Sequence, residues 1–269
     1  MSKVSRFIAS KNKQELLWLQ IQSLKNNFSR PVAIRSKLRW MKYSKELRKR
    51  AVITAPFEID IYKKCLAKIT ENNEIKIGTL GDSLSNPTSY VVLRHDIDLP
   101  GCVEKLNLLT SVEEEFGLKS SIVIRVDGLD YDPAICKDLV AKHKEKGFEI
   151  GLHSTAYFAD DPLKALTLEF ERFNTLFGFY PEIYNFHGGF DEHLAKRMKL
   201  GHQGMKIVKD NLFLKATDSI SGFYEHRIMD CVIRNGERIL LDDMLNPPVL
   251  LIKKSSQPVI VLTHPCYWI

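Results

Sequence analysis

Tyr90-Val91-Val92-Leu93-Arg94-His95-Asp96-Ile97-Asp98-Leu99-Pro100 opens on a short apolar run and closes on charge. Such a run, stopped by a proline, reads as a β-strand over 90–98. Alternate residues of a strand point to one face, so Asp96 and Asp98 share a space with Arg94 behind them. Two carboxylates that close repel each other unless a cation or a shared proton relieves them. Two readings are open at this point. One carboxylate binds a metal while the other takes a proton from bound water, or the pair is neutralised by Arg94 and His95.

Working outward, other apolar runs also finish in polar groups: Arg125-Val126-Asp127, His153-Ser154-Thr155, His187-Gly188-Gly189, Thr217-Asp218 and Thr263-His264-Pro265. The expected strands are 90–98, 120–127, 148–153, 183–187, 213–218 and 259–264. Between several of them lie amphipathic helices at 102–116, 133–146, 163–177 and 193–200, three of them stopped by Gly147, Gly178 and Gly201. Strand–helix alternation of this kind argues for a parallel sheet or barrel. In a parallel barrel the carboxyl ends of the strands lie on one rim, where barrel enzymes keep their sites. One strand ending in His or Asp is an ordinary turn; the same ending at four or five strands points to a shared site. Imidazole and carboxylate together suit Zn²⁺, with Fe, Co, Ni or Mn as other occupants.

The pieces 90–100, Glu-Ile-Gly-Leu-His-Ser (149–154), His-Gly-Gly (187–189) and Leu-Thr-His-Pro-Cys-Tyr-Trp (262–268) resemble, in order, the polysaccharide deacetylase superfamily, the NodB-homology fold. The similarity is to a divergent branch whose first motif is Arg-His-Asp-Val-Asp, and it runs from about residue 56 to the end of the sequence. It implies an α/β fold, an irregular (β/α) barrel of about seven parallel strands, that hydrolyses N-acetyl or O-acetyl groups on a sugar with a divalent metal, most readily Zn²⁺. By resemblance Asp96 is the general base, Asp98 a metal ligand, His153 the first metal histidine and His264 the acid that protonates the leaving amine. His95 is a second candidate for that acid. The usual second metal histidine is replaced by Tyr157, and the usual Arg-x-Pro motif is missing. His187, at the end of the corresponding strand, is placed to supply the ligand from across the rim, giving Asp98, His153 and His187 with an open position. Arg94, Arg125 and Asp218 are candidate substrate contacts; for the two arginines the other reading is a structural ion pair, or a charge that holds Asp96 ionised. The histidines at 143, 193, 202 and 226 lack a strand-end setting and read as surface residues.

Charge divides the chain. Residues 1–50 hold 14 Lys/Arg against Glu15 and Glu46, a net +12; the other 219 residues hold 25 basic and 31 acidic groups, a net −6. Within this arm, 14–24 and 32–50 show helical spacing on either side of Pro31. The chain therefore divides into a basic helical extension (1–55) and a barrel domain (56–269). The arm is either a solvated helical extension or a contact for an anionic surface such as lipid headgroups. No nucleic-acid motif accompanies it, so no nucleic-acid partner is expected. Cys65, Cys102, Cys136, Cys231 and Cys266 are odd in number and scattered, without a C-x-x-C pair, which fits reduced thiols in the cytoplasm. The first ten residues carry no apolar signal core. The expected activity is thus a cytoplasmic metal-dependent deacetylase for an acetylated sugar or sugar precursor in surface-polysaccharide biosynthesis. The alternative is a barrel that lost a metal histidine and serves carbohydrate binding or assembly.

Overall fold

The computed structural model describes residues 51–83, 88–181, 183–187, 226–230, 232–234, 237–255 and 258–269. In chain order its elements are β1 (Ala51–Thr54), α1 (Ile59–Thr70), β2 (Lys76–Gly78), α2 (Leu80–Ser83), β3 (Tyr90–Ile97) and α3 (Pro100–Glu115). They continue with β4 (Ser121–Ile124), α4 (Lys137–Glu145), β5 (Glu149–Ser154), α5 (Pro162–Phe177), β6 (Tyr184–Phe186) and β7 (His226–Met229). The last are β8 (Val232–Arg234), β9 (Glu237–Leu241), α6 (Asp242–Leu245), α7 (Val249–Lys253) and β10 (Val259–Thr263). Residues 1–50 of the basic extension, the expected 193–200 helix and 213–218 strand, and Asp218 lie outside the described residues.

Seven parallel strands form the main sheet, in the order β6-β5-β4-β3-β10-β7, with β2 paired to β3. β2 covers Tyr90–Val92 on the edge that β4 takes over from Arg94 onward, because β10 occupies the other edge. Among the described residues no pairing joins β6 to β7. A second, antiparallel sheet of order β1-β9-β8 stands apart. Its first strand, Ala51–Thr54, falls inside the span read as the extension and pairs with Ile239–Leu241.

Strand alternation sorts the core. Val91, Leu93, Val259 and Val261 face one helix-side cluster, and Ile97, Ile122, Ile124, Ile150, Leu152, Tyr184 and Phe186 face the other. The intervening residues Tyr90, Val92, Val123, Ile183, Ile260 and Leu262 make a smaller inner layer. That layer is tight at β5. A Cβ on Gly151 would lie 2.4 Å from Ile183 Cγ1 and 2.9 Å from its carbonyl oxygen, so only glycine lets β6 approach. α5 is capped at both ends, by Asp161 accepting from Lys164 N and by Gly178 in the left-handed conformation.

His143 is a correction. It was expected on the surface, but it is buried on the face of α4 that carries Leu139 and Val140, four and three residues earlier. Its Nδ1 meets Leu139 O at 2.8 Å and its Nε2 the Thr110 hydroxyl at 3.2 Å. His226, also expected in a helix or loop, opens strand β7.

Candidate active site

The inner positions that follow the apolar layer toward the carboxyl ends are polar. β3 and the residue after it supply Arg94, Asp96 and Asp98, β5 supplies His153, β6 and its end supply Asn185 and His187, and His264 follows β10. The pleat that sends Val92 inward sends these residues inward too.

Three atoms form a nearly equilateral triangle. His153 Nε2 lies 3.3 Å from Asp98 Oδ1, His187 Nδ1 lies 3.2 Å from that oxygen, and the two ring nitrogens are 3.2 Å apart. In a tetrahedral site with metal–ligand distances of about 2.0–2.1 Å, ligand atoms stand roughly 3.3–3.4 Å apart. Asp98 Oδ1 is buried and has no hydrogen-bond partner among the described residues, an orphan that a cation would satisfy. Asp98, His153 and His187 therefore fit a divalent ion in both donor type and spacing. His187, with 29% of its side chain exposed, is the open side of the triangle, whereas His153 is 2% exposed. The Tyr157 hydroxyl, standing where a second histidine was expected, donates to the carbonyl of His187 at 2.6 Å and steadies that ligand's backbone.

Charge is arranged around the triangle. Arg94 grips Asp96 with Nε to Oδ1 at 2.8 Å and Nη2 to Oδ2 at 2.9 Å. Burial pushes Asp96 up, but Arg94 first, then His153 and His264, outweigh it and hold the carboxyl below its ordinary value. Asp98 is likewise pushed up by burial and pulled further down by His153, His187 and His264. His153 is lowered to about 4, chiefly by burial and against the pull of Asp96 and Asp98. Its ring is neutral at physiological pH, as a metal ligand must be.

Asn185 sits between Arg94 and His153 and reads both. Its neighbours orient the amide so that Oδ1 accepts from Arg94 Nη1 at 2.9 Å and Nη2 at 3.2 Å, while Nδ2 donates to Leu152 O at 3.3 Å and His153 Nδ1 at 2.6 Å. In that orientation the imidazole hydrogen sits on Nε2, facing Asp96 and Asp98 at 3.4 and 3.3 Å. Ligation through Nε2 needs the hydrogen on Nδ1 and the amide turned to accept it.

His264 closes the site from the other side, with Nε2 3.6 Å from Asp98 Oδ2. Its Nδ1 meets Asp230 Oδ1 at 3.0 Å. Asp230 is fully buried and was not anticipated, because the strand before it, Ile228-Met229, was not recognised. The signal was present: that apolar pair ends in an aspartate just as β3 does.

Other candidates fall elsewhere. Arg94 and Arg125 are both buried and held by carboxylates, Arg94 by Asp96 and Arg125 by Asp127 and Asp130, which is the geometry of their ion-pair reading. His95, the second candidate for the acid, points to the outer face of β3. There it meets Glu113 at 2.8 Å and the Thr263 hydroxyl, and it is fully buried. Glu113 also accepts from Tyr62 and Ser120, at 2.6 and 2.7 Å, which makes it the hub of a buried polar knot beneath the site.

No family model matches the sequence, and no curated protein is similar to it. Among solved structures, the catalytic domain of peptidoglycan N-acetylglucosamine deacetylase from Eubacterium rectale ATCC 33656 is similar. The TM-score is 0.44 at 13% identity, over 65% of this chain and 76% of that one. A likeness of that size concerns chain path alone, and the functional reading rests on the site's own geometry. No described helix is long and apolar enough to cross a membrane.

Proposed function

We propose that the protein is a metal-dependent hydrolase that deacetylates an N-acetylated, or O-acetylated, sugar or sugar precursor. The observation that carries this reading is the triangle of Asp98, His153 and His187, flanked by the Arg94-held carboxylate of Asp96 on one side and the imidazole of His264 on the other. The donor set favours Zn²⁺, with Fe, Co, Ni or Mn as alternatives. When bound there, a divalent ion acidifies a water and polarises an acyl carbonyl.

The chain's own groups supply the proton chemistry. Asp96, kept ionised by Arg94, is the base that accepts the proton of the attacking water. His264 donates from Nε2 to the departing nitrogen, and Asp230 at Nδ1 stabilises the imidazolium and fixes the ring. Asp98 ionised and His153 neutral keep the ligands in their binding states at neutral pH. We place the activity in the cytoplasm, with the basic residues 1–50 as a contact for the anionic face of a membrane, serving surface-polysaccharide biosynthesis.

The test combines metal content by plasma mass spectrometry with acetate release from a panel of N- and O-acetylated sugars and nucleotide sugars. Near-stoichiometric metal in the wild type, lost in Asp98→Ala and His153→Ala, together with acetate release supports the proposal. Metal without turnover on any panel member favours the carbohydrate-binding alternative that the substitution at Tyr157 suggests. No metal after reconstitution overturns the mechanism.

A further inference from the structure

Cys102 and Cys266 meet behind the site, on the two segments that carry Asp98 and His264. Cys102 stands in the first turn of α3, which begins two residues after Asp98. Cys266 stands two residues after His264, in the short 3-10 turn Pro265–Tyr267. Cys102 belongs to the apolar cluster against which Cys266 packs, and each thiol is the other's leading electrostatic neighbour. The two segments are close: a Cβ on Gly101, the residue before Cys102, would sit 3.4 Å from the Cβ of Cys266. Both thiols are free; Cys102 is buried and Cys266 is partly exposed, so a small oxidant reaches the pair from the Cys266 side. The other described cysteines lack this setting. Cys65 is buried in the apolar cluster around α1, and the Cys136 thiol faces the Tyr131 hydroxyl at 4.0 Å.

We propose that Cys102 and Cys266 form a reversible disulfide when the protein meets a peroxide, so that oxidation locks the loop bearing a ligand to the loop bearing the proton donor. Two S–H bonds break and one S–S bond forms. The two protons and two electrons pass to hydrogen peroxide, whose O–O bond breaks to give two waters. In a reducing compartment such a bond is transient, and thiol exchange reverses it. Closing the bridge draws the sulfurs to about 2.05 Å, which shifts the turn after His264 toward α3. The inference concerns the thiols and holds or fails independently of the reaction assigned to the site.

The test uses the full chain. Protein treated with hydrogen peroxide is capped with iodoacetamide, digested with trypsin without reduction and analysed by mass spectrometry. Cys102 then lies in peptide 95–105 and Cys266 in peptide 255–269, each with a single cysteine. The expected product is the two peptides joined and lighter by two hydrogens, with their separate alkylated forms falling together. Dithiothreitol before capping should restore both. The joined species should vanish in Cys102→Ser and Cys266→Ser and persist in Cys136→Ser. If both cysteines stay alkylatable after peroxide, or Cys102 is found joined to Cys136, the proposal is overturned. Equal cross-linking in urea also overturns it, because the pairing would then owe nothing to the fold.

Discussion

Asp230 and His264 are joined twice: the backbone N–H of His264 donates to Asp230 Oδ2, and His264 Nδ1 lies 3.0 Å from Asp230 Oδ1. The Trp268 indole N–H donates to the same Oδ2 at 3.2 Å. A buried carboxylate held this way keeps the imidazole hydrogen on Nδ1 and leaves Nε2 facing the site.

Replacing that carboxylate removes the charge without removing the shape. Asp230→Asn should lower kcat roughly 100-fold or more, as expected for disabling a general acid, while KM changes little. Steady-state kinetics on the best acetylated sugar will show this, and an unchanged kcat would remove His264 from the mechanism.

Base and ligand are separable at β3. Asp96→Asn should retain metal yet lose roughly 100- to 10,000-fold in turnover, because Asp98 Oδ1, and not Asp96, belongs to the ligand triangle. Metal content and kcat measured on one preparation decide it. Loss of metal in this variant would make Asp96 a ligand.

The amide of Asn185 faces two donors once a metal claims His153 Nε2. Asn185→Asp accepts from both the imidazole Nδ1–H and Arg94, and should tighten Zn²⁺ binding by about tenfold, within the range of effects seen for groups that orient metal ligands. Competition with a chromophoric chelator reads it. Weaker binding would mean that the amide is already suited to the ligating tautomer.

Asp243 provides a pH test of stability. It is buried with Oδ1 unpartnered, and burial raises it from 3.8 to about 7. A raised carboxyl gives stability that is complete below pH 3.8 and lost as the pH climbs through about 7. Asp243→Asn should therefore stabilise the protein at pH 8, by at most about 4 kcal/mol, and bring no gain at pH 4. Urea titrations at the two pH values check the sign.

Gly151→Ala should cost about 1–3 kcal/mol through overpacking, because the new methyl meets both the side chain and the backbone of Ile183. Thermal denaturation measures it, and a neutral result would show that β6 can move away.

Much of the site was legible because the chain writes it at strand ends. Asp96, Asp98, His153, His187 and His264 each stand at the close of an apolar run, and parallel topology gathers such ends on one rim. The partners of those residues were harder to read. Asn185 lies inside a three-residue strand, between aromatic residues that look like core, and Asp230 follows a four-residue strand too short to show alternation. His143 was misread because its environment is set by helix face rather than by strand end. The pairing of Arg94 with Asp96, two residues along the same strand face, was open to reading in the sequence, whereas the grip of Asp127 and Asp130 on Arg125 is made by the turn just beyond β4.

Strand β10 is the last in the sequence, yet it lies between β3 and β7, and its end leads into His264. During synthesis, β2 to β6 leave the ribosome with one flank of β3 vacant, and β7 waits for its only described neighbour in that sheet. His264 and its aspartate therefore meet only after β10 has been translated. A nascent chain can assemble the Asp98–His153–His187 corner well before the other half of the site exists. On the proposed mechanism, metal capture would precede catalytic competence, and a chain stalled short of β10 would bind an ion without turning over.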